Sequence, residues 1–241
     1  MTKQNPAAEA LDPRTNLLLV KLTPEDLAAL MLHASVVTLK LTNQMLKQDA
    51  LVDAVFFPLT CIFSLLVTQG GEAQMEMATI GKEGVIGAYE VFHKVGAMGL
   101  SIVQIPGTAI RIKGDAFRRW MTESPEAQQL VHRHMYALVR QILYGASCNR
   151  LHSMKERCAR WLLMTQDRAG ADSFPLTQEF LSHMLGVRRA TVNVATGMLK
   201  KAGFIRYSRG TLTVIDRAGL ESASCACYQA IRAIYAAILP E

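Results

Sequence analysis

Residues 175–215 place the strongest constraint on the fold, because they combine two helical repeats with a glycine between them. Thr177 follows a proline and can cap the free amides of a first helix, whose apolar positions continue to Leu185. Gly186 then accepts the backbone angles of a sharp turn. A second repeat follows, with apolar residues at steps of three and four and with arginines at its start. This pattern predicts a helix-turn-helix.

Two short alternating segments, at residues 204–207 and 211–214, follow the second helix. The Ser-Arg-Gly turn between them is typical of a hairpin, with Arg209 at its tip. Such a unit suits duplex DNA, because the major groove admits one helix while the first helix and the hairpin contact the backbone. The alternative is a small helical layer with solvated arginines, which the combination of cap, turn, basic residues and hairpin disfavours.

The same segment resembles the winged helix-turn-helix of the Crp/Fnr family of bacterial transcription regulators. Two positions depart from the family pattern: Ala190 stands where many members have a glutamate, and Val194 where they have a second arginine. A methyl group cannot accept a hydrogen bond from cytosine, so the departures predict a different base preference. The matching positions are Thr177, Leu181, Leu185, Gly186, Arg188, Arg189, Thr191 and Val192.

We predict DNA contacts at ten positions of this segment. Arg189 is expected on a base edge, since a guanidinium can donate two hydrogen bonds to guanine O6 and N7. Asn193 is expected to assist it, with Ala190 and Val194 as apolar neighbours. Phosphate contacts are predicted for Thr177, Gln178, Arg188, Thr191, Ser208 and Arg209.

The charge distribution agrees with this prediction. Residues 1–149 hold 13 basic and 13 acidic residues, whereas residues 150–241 hold 13 basic and 7 acidic ones, so the whole net charge of +6 lies in the second half. Such an asymmetry is typical of a nucleic-acid-binding domain attached to a neutral domain. A solvated basic surface without a partner is the alternative.

The N-terminal half has a different pattern of apolar and polar residues. Residues 36–113 consist of short apolar runs separated by turn signals, including a hairpin at residues 69–72, and they predict about eight strands in a jelly-roll barrel. This half resembles, less specifically, the cyclic-nucleotide-binding type of sensor domain. The resemblance together with the helical second half predicts an α+β fold.

The resemblance also indicates what the barrel lacks. Family members that bind a cyclic nucleotide hold the ribose with a glutamate and the phosphate with an arginine, but here Ala88 follows Gly87 and residues 97–101 contain no arginine. We therefore expect no cyclic AMP binding in the usual manner. Two alternatives stay open: an unknown effector, whose anionic group His93 or Lys94 would contact, and a barrel with a purely structural role.

A long helix is predicted after Ser124, which is followed by a proline at the first helical position. Its heptad stripe is the predicted homodimer interface, with packing on the chain's own barrel as the alternative. A two-fold dimer would set two recognition helices about 34 Å apart and require an inverted-repeat site. The stripe consists of Val131, Met135, Leu138, Ile142, Gly145 and Asn149.

The predicted domain organisation has four parts: a flexible arm at residues 1–16, the sensor-type barrel at 17–123, the dimerisation helix at 124–151 and the winged domain at 152–241. The last part is expected to end in a single helix from residue 217 to 239. The opening residues contain no apolar signal segment and no run is long enough to span a membrane, which favours a cytoplasmic location.

The predicted function is a homodimeric DNA-binding transcription regulator. The resemblance implies double-stranded DNA and RNA polymerase as partners, together with a possible small-molecule effector. A ligand-binding or scaffold module whose basic domain contacts protein or RNA is the alternative class. We expect no enzyme, because the sequence contains no recognisable nucleophile–base pair or phosphate-binding glycine loop.

The five cysteines include no C-x-x-C pair. Cys148 and His152 have the i,i+4 spacing of two ligands on one helix, while Cys225 and Cys227 could chelate or cross-link. Zinc usually takes three or four protein ligands, and the sequence alone does not assemble such a set. We therefore predict reduced thiols, no metal site and no other cofactor.

Overall fold

The computed structural model describes residues 12–69 and 73–239. It contains an N-terminal barrel, a long helix and a C-terminal domain built from helices around a small sheet, so the predicted α+β fold class is confirmed. The sequence predicts a hairpin turn at residues 69–72, of which residues 70–72 lie outside the described residues. The two strands that flank it are paired antiparallel, as the hairpin requires.

The barrel consists of two antiparallel sheets. One sheet has the strand order β1 (Ala34–Leu39), β7 (Gly107–Lys113) and β3 (Ala54–Pro58). The other has the order β2 (Gln44–Leu46), β6 (Leu100–Ile105), β4 (Ile62–Gln69) and β5 (Ala73–Ile80). Every residue of β3 is buried, because both of its faces are covered.

In the described part of the chain, four α-helices accompany the barrel, and two of them begin at a capping hydroxyl, of which Ser124 was predicted from the sequence. Thr23 accepts a hydrogen bond from the Asp26 amide, and Ser124 accepts one from the Ala127 amide. The helices are α1 (Pro24–Met31), α2 (Ala88–His93), α3 (Gly114–Glu123) and the long α4 (Pro125–Leu151).

The C-terminal domain follows α4 without a spacer. Ser153 and Glu156 form a reciprocal capping box at the start of its first helix. Its elements are α5 (Met154–Ala169), β8 (Ser173–Pro175), α6 (Gln178–Leu185), α7 (Arg189–Lys201), β9 (Ile205–Ser208), β10 (Thr211–Val214), α8 (Arg217–Ser222) and α9 (Cys227–Ile238).

Three details differ from the sequence-based expectations. The sequence predicts a loop over residues 168–173, but its last residue, Ser173, begins a short strand, Ser173–Pro175, that pairs with β10 as the third strand of the wing sheet. The single final helix is divided into α8 and α9, because the hydroxyls of Ser222 and Ser224 donate to the carbonyls of Gly219 and Glu221 and compete with the helical amides. The expected arm is also docked at residues 12–16, where the buried Asn16 amide donates to carbonyls of the barrel.

The barrel and the C-terminal domain share a continuous contact surface. Apolar side chains of β4 and β6 join the buried cluster that contains Trp161 and Leu162 of α5. At the same boundary Arg168 forms a buried ion pair with Glu83, with Nε and Oε1 2.7 Å apart. The Arg168 guanidinium also donates to the side-chain oxygen of Gln141 in α4. Within the described part of the chain, no helix is long and apolar enough to cross a membrane.

Candidate nucleic-acid interface

The helix-turn-helix forms as the sequence predicts. The Thr177 hydroxyl accepts from the Phe180 amide at 3.1 Å and so caps α6. Gly186 ends the helix in the left-handed region, with φ +64°, where a side chain would be strained. The inner faces of α6 and α7 pack into one core through Leu181, Val192 and Leu199.

The opposite side of α7 is fully open to solvent. Arg189, Ala190, Asn193 and Val194 are all exposed, and so is Met198, one further helical turn along. We call these five residues the recognition face. Val194 is 60% and Met198 is 53% exposed, so both apolar side chains are accessible to a partner. Sequence reasoning missed Met198, although its i,i+4 spacing from Val194 places it on the same side.

A groove lies between the start of α6 and the hairpin. It brings together five of the predicted contact residues, which come from three elements separated in the sequence. Arg209 is in the left-handed region, with φ 47°, and this turn carries its side chain to the tip of the hairpin. The groove is lined by Thr177, Gln178, Arg189, Ser208 and Arg209, among others.

The remaining predicted phosphate contacts, Arg188 and Thr191, are exposed at the start of α7 and do not line this groove. The first turn of α7 also presents backbone amides without a side-chain cap. Unsatisfied amides at a helix N-terminus favour an anion such as a phosphate.

Two sets of basic residues in the C-terminal domain differ in their partners. Arg168 and Arg217 are held by acidic partners in its interior or at its base. By contrast, among the described residues no ion pair involves the exposed cations of the helix-turn-helix and hairpin, namely Arg188, Arg189, Lys200, Lys201, Arg206 and Arg209. The available positive charge is therefore concentrated around α7 and the hairpin.

The stripe predicted as a dimer interface faces the chain's own barrel instead. Val131 and Leu138 are buried in the barrel core, and Met135 and Ile142 pack against it. The other two members face β5: a side chain at Gly145 would meet the Met77 carbonyl, and the Asn149 amide reaches the Met75 sulfur. Heptad spacing identified a covered side of α4, but the covering element is the barrel.

A second apolar stripe remains on α4, and it is exposed. Tyr136, Val139 and Leu143 are 50–59% exposed and follow the i,i+3,i+7 spacing of one helix side. His132 and Ala146 extend the stripe in both directions, and both are exposed. We call these five residues the outer face of α4.

The interior of the barrel is almost completely filled. A cavity of about 20 Å³ remains beside Ala88, with walls that include Leu65, Ile80, Met98 and Leu138. This volume holds about one water molecule, whereas small-molecule pockets measure about 300–1,000 Å³. His93 and Lys94, the predicted anion contacts, are exposed and do not line the cavity.

The helix-turn-helix touches the barrel directly. A side chain at Gly186 would lie 3.2 Å from Met75 of β5, so the turn between α6 and α7 rests on that strand. One residue further along the strand, the Glu76 carboxylate accepts from the Trp161 indole at 2.7 Å and from the Ser64 hydroxyl at 2.6 Å. The position of the recognition face is thus set by contacts with the barrel.

The comparisons with known proteins agree with this architecture. Residues 156–223 match the family model described as the Crp-like helix-turn-helix domain. No curated protein sequence matches the chain significantly.

Three solved structures illustrate the similarity of the fold. FixK2 from Bradyrhizobium japonicum has a TM-score of 0.69 at 15% identity, with 80% of this chain and 98% of that chain covered. TTHB099, a CRP-family transcriptional regulator from Thermus thermophilus, has a TM-score of 0.66 at 13% identity, with coverage of 78% and 96%. The c-di-GMP-responsive regulator CLP from Xanthomonas campestris has a TM-score of 0.65 at 10% identity, with coverage of 80% and 99%.

The family model covers the helix-turn-helix with its preceding helix and its hairpin, and the structural matches extend over the barrel and α4 as well. The chain therefore carries a Crp-like helix-turn-helix domain and has the fold of the Crp/Fnr family of DNA-binding transcription regulators.

Proposed function

We propose that this protein is a sequence-specific transcription regulator that binds an inverted-repeat DNA site as a homodimer. The observation that carries the proposal is the recognition face, an exposed helix side that begins with an arginine. It adjoins a groove lined by four of the six predicted phosphate contacts. A major groove is wide enough for one such helix.

The proposed DNA contacts are of two kinds, those to base edges and those to phosphates. Arg189 would donate two hydrogen bonds to a guanine edge, with Asn193 beside it. Ala190, Val194 and Met198 offer only apolar surface, which suits the methyl group of thymine. Phosphates would be held by Thr177, Gln178, Arg188, Thr191, Ser208 and Arg209, which position the helix without selecting a sequence.

The homodimer would form through the outer face of α4. Its apolar residues are spaced as in a helix pair, and a second copy of the same helix is their complement. Arg140 lies beside this face and donates to the Tyr136 hydroxyl at 2.8 Å, which orders the ring at the edge of the interface. A two-fold axis along α4 would present two recognition faces to successive turns of one side of the duplex.

The filled barrel supports regulation by something other than cyclic AMP, or DNA binding without an effector. The cavity next to Ala88 is too small for a nucleotide. Ala88 stands where the glutamate of the family motif would hold a ribose, and Glu90, which also lines the cavity, accepts a hydrogen bond from the Met98 amide. CLP shares the fold and is a c-di-GMP-responsive regulator, so the fold alone does not fix the effector. RNA polymerase is the expected protein partner of such a regulator.

The domain organisation that goes with this function assigns residues 17–123 to the barrel, 124–151 to the dimerisation helix and 152–241 to DNA binding. Ser124 and Ser153 support the two later boundaries, because each caps a helix where one part ends and the next begins. No enzymatic role is needed to explain any of these parts.

A gel-shift titration over a salt series, with random-sequence competitor DNA, tests the proposal. We expect binding to duplex DNA to fall steeply with salt, because each neutralised phosphate releases counterions. Arg209→Ala should weaken binding to all sequences alike and reduce the log–log salt slope by about 1.

The control is Arg119→Ala, which removes an exposed arginine of the barrel domain and should leave the slope unchanged. A chain that prefers RNA, or that binds duplex DNA without salt dependence, would support the scaffold alternative instead.

A further inference from the structure

Four potential metal ligands meet where α4 ends and the C-terminal helices begin. Cys148 and His152 come from the last turn and the C-cap of α4. Cys225 lies in the break between α8 and α9, and Cys227 is the first residue of α9. Their ligand atoms all lie within 4.8 Å of one another. We call these four residues the Cys3His cluster. The two pairs are more than 70 positions apart in the sequence, so only the packing of α9 on α4 unites them.

The distances fit one metal ion. A tetrahedral zinc site, with Zn–S about 2.3 Å and Zn–N about 2.0–2.1 Å, separates its ligand atoms by about 3.5–3.8 Å. The Sγ atoms of Cys148 and Cys225 are 3.4 Å apart, and Cys227 Sγ lies 3.8 Å from His152 Nδ1. An iron–sulfur cluster needs a wider spacing, because several iron and sulfide atoms lie between its cysteines.

The ligand chemistry narrows the choice of metal. Three thiols and one imidazole form a soft donor set, which suits zinc and excludes calcium or magnesium as resident ions. All three cysteines are buried, so the site is closed, as structural zinc sites are.

The surroundings supply the charge that such a site would need. Zinc with three thiolates and a neutral imidazole carries one net negative charge. Arg160 is 8% exposed and interacts with the Cys148 sulfur, and among the described residues its Nε has no hydrogen-bond partner. A buried guanidinium is costly to desolvate. Glu76 is an acidic group near Arg160, but among the described residues Arg160 forms no ion pair, and an anionic metal site beside it would offset the cost.

A disulfide explains less of this arrangement. A bond between Cys148 and Cys225 would need their sulfurs about 2.05 Å apart and would leave Cys227 and His152 without a role. One metal ion uses all four side chains.

We propose that the Cys3His cluster is a mononuclear structural zinc site, which fastens α9 to the end of α4. His152 is followed directly by Ser153, the cap of α5, so the ion would fix the point where the long helix passes into the DNA-binding domain. In the next turn of α5, Arg157 donates to the Leu185 carbonyl at the end of α6 with an N–O distance of 2.8 Å. The site is therefore connected to the helix-turn-helix through a single side chain.

The test is the zinc content of the full chain, measured by elemental analysis after dialysis against a weak chelator. We expect about one zinc ion per chain, and a loss to background in Cys148→Ser, Cys225→Ser and Cys227→Ser. Cys61→Ser and Cys158→Ser remove buried thiols outside the cluster and should keep the metal. His152→Ala should bind zinc more weakly than the wild type.

Two measurements on the wild-type chain make the result independent of how well the variants fold. Cobalt in place of zinc should give the visible absorption of tetrahedral cobalt with thiolate ligands. A strong chelator should expose three additional reactive thiols and lower the Tm.

A zinc-free chain, an iron–sulfur spectrum, a Cys148–Cys225 disulfide, or equal zinc content in the cluster and control variants would each overturn the proposal. None of these readouts depends on DNA binding, so failure of the zinc site and failure of the proposed function can be told apart.

Discussion

Glu76 is a pH-sensitive residue at the boundary between the barrel and the DNA-binding domain. Burial at their boundary raises the pKa of its carboxyl from 4.5 to about 7, although the Ser64 and Trp161 hydrogen bonds and the Arg160 and Arg168 charges oppose this shift. Between about pH 4.5 and pH 7, Glu76 of the folded chain therefore keeps a proton that the unfolded chain releases. The corresponding stabilisation is fully present below pH 4.5 and is lost as the pH rises through 7.

Glu76→Gln should remove this pH dependence, because the amide keeps the shape and cannot ionise. We expect the free energy of unfolding of the wild type, minus that of the variant, to fall by about 1–3 kcal/mol between about pH 4.5 and pH 8. Urea denaturation at a series of pH values measures the difference. A difference that stays constant over this range would show that Glu76 does not titrate as described.

The wild type must be compared with the variant, because the titration of His134 changes the free energy of unfolding in the opposite direction as the pH rises. Burial lowers the pKa of this imidazole to about 4, with Glu83 and Arg168 as the charged groups that face it. Its contribution to stability is complete above pH 6.5 and is lost as the pH falls through 4. In the wild type the two effects partly cancel between pH 4.5 and 6.5.

At the scale of elements, the two sides of α4 differ in what they contact. One side is covered by the barrel, and the outer face of α4 is the surface proposed for dimerisation. Replacement of an apolar residue at the centre of that face by a charge should separate the copies, because two arginines would then be buried opposite each other.

Leu143→Arg is the most suitable substitution for this test. Leu143 is 59% exposed, so its replacement leaves the core of the monomer intact. We expect the wild type to be a dimer and the variant a monomer in sedimentation equilibrium, with unchanged helix content. Leu51→Arg, at a leucine that is 80% exposed elsewhere on the barrel, is the matched control and should remain dimeric. A dimeric Leu143→Arg chain at the same concentration would place the interface elsewhere.

The elements show what the sequence could and could not predict. Helix starts at Thr23, Ser124, Ser153 and Thr177 could be predicted, because a cap acts on amides two or three residues away. The third wing strand could not, because Ser173–Pro175 becomes a strand only when β10 lies beside it.

Predictions that depended on a distant partner were incomplete for the same reason. The heptad stripe on α4 was predicted as the homodimer interface, but the barrel covers it, because periodicity indicates a covered side without revealing which element covers it. The cysteines and His152 carried the i,i+4 and C-x-C signals, yet the two pairs meet only through the packing of α9 on α4. At the candidate DNA site, by contrast, the contacts lie within 33 residues, and local patterns placed most of them.

At the scale of the whole molecule, the DNA-binding domain is held against the barrel rather than connected by a free linker. The buried Arg168–Glu83 pair, the Trp161–Glu76 hydrogen bond and the contact of Gly186 with Met75 all cross this boundary. A change in the barrel would therefore reach the recognition face through packed side chains. This arrangement suits a regulator whose two recognition faces must keep a fixed separation.

Selection of binding sites from random duplex DNA, performed with the wild type and with Arg189→Ala, tests whether the recognition face reads DNA. We expect an inverted repeat for the wild type, with half-sites about one helical turn apart. For Arg189→Ala we expect the loss of preference at one base pair per half-site, worth about 1–3 kcal/mol, with a smaller effect on total affinity. Lys201→Ala, an exposed cation at the far end of α7, is the control and should retain the wild-type consensus. An unchanged consensus for Arg189→Ala, or no consensus for the wild type, would show that Arg189 does not read the DNA sequence.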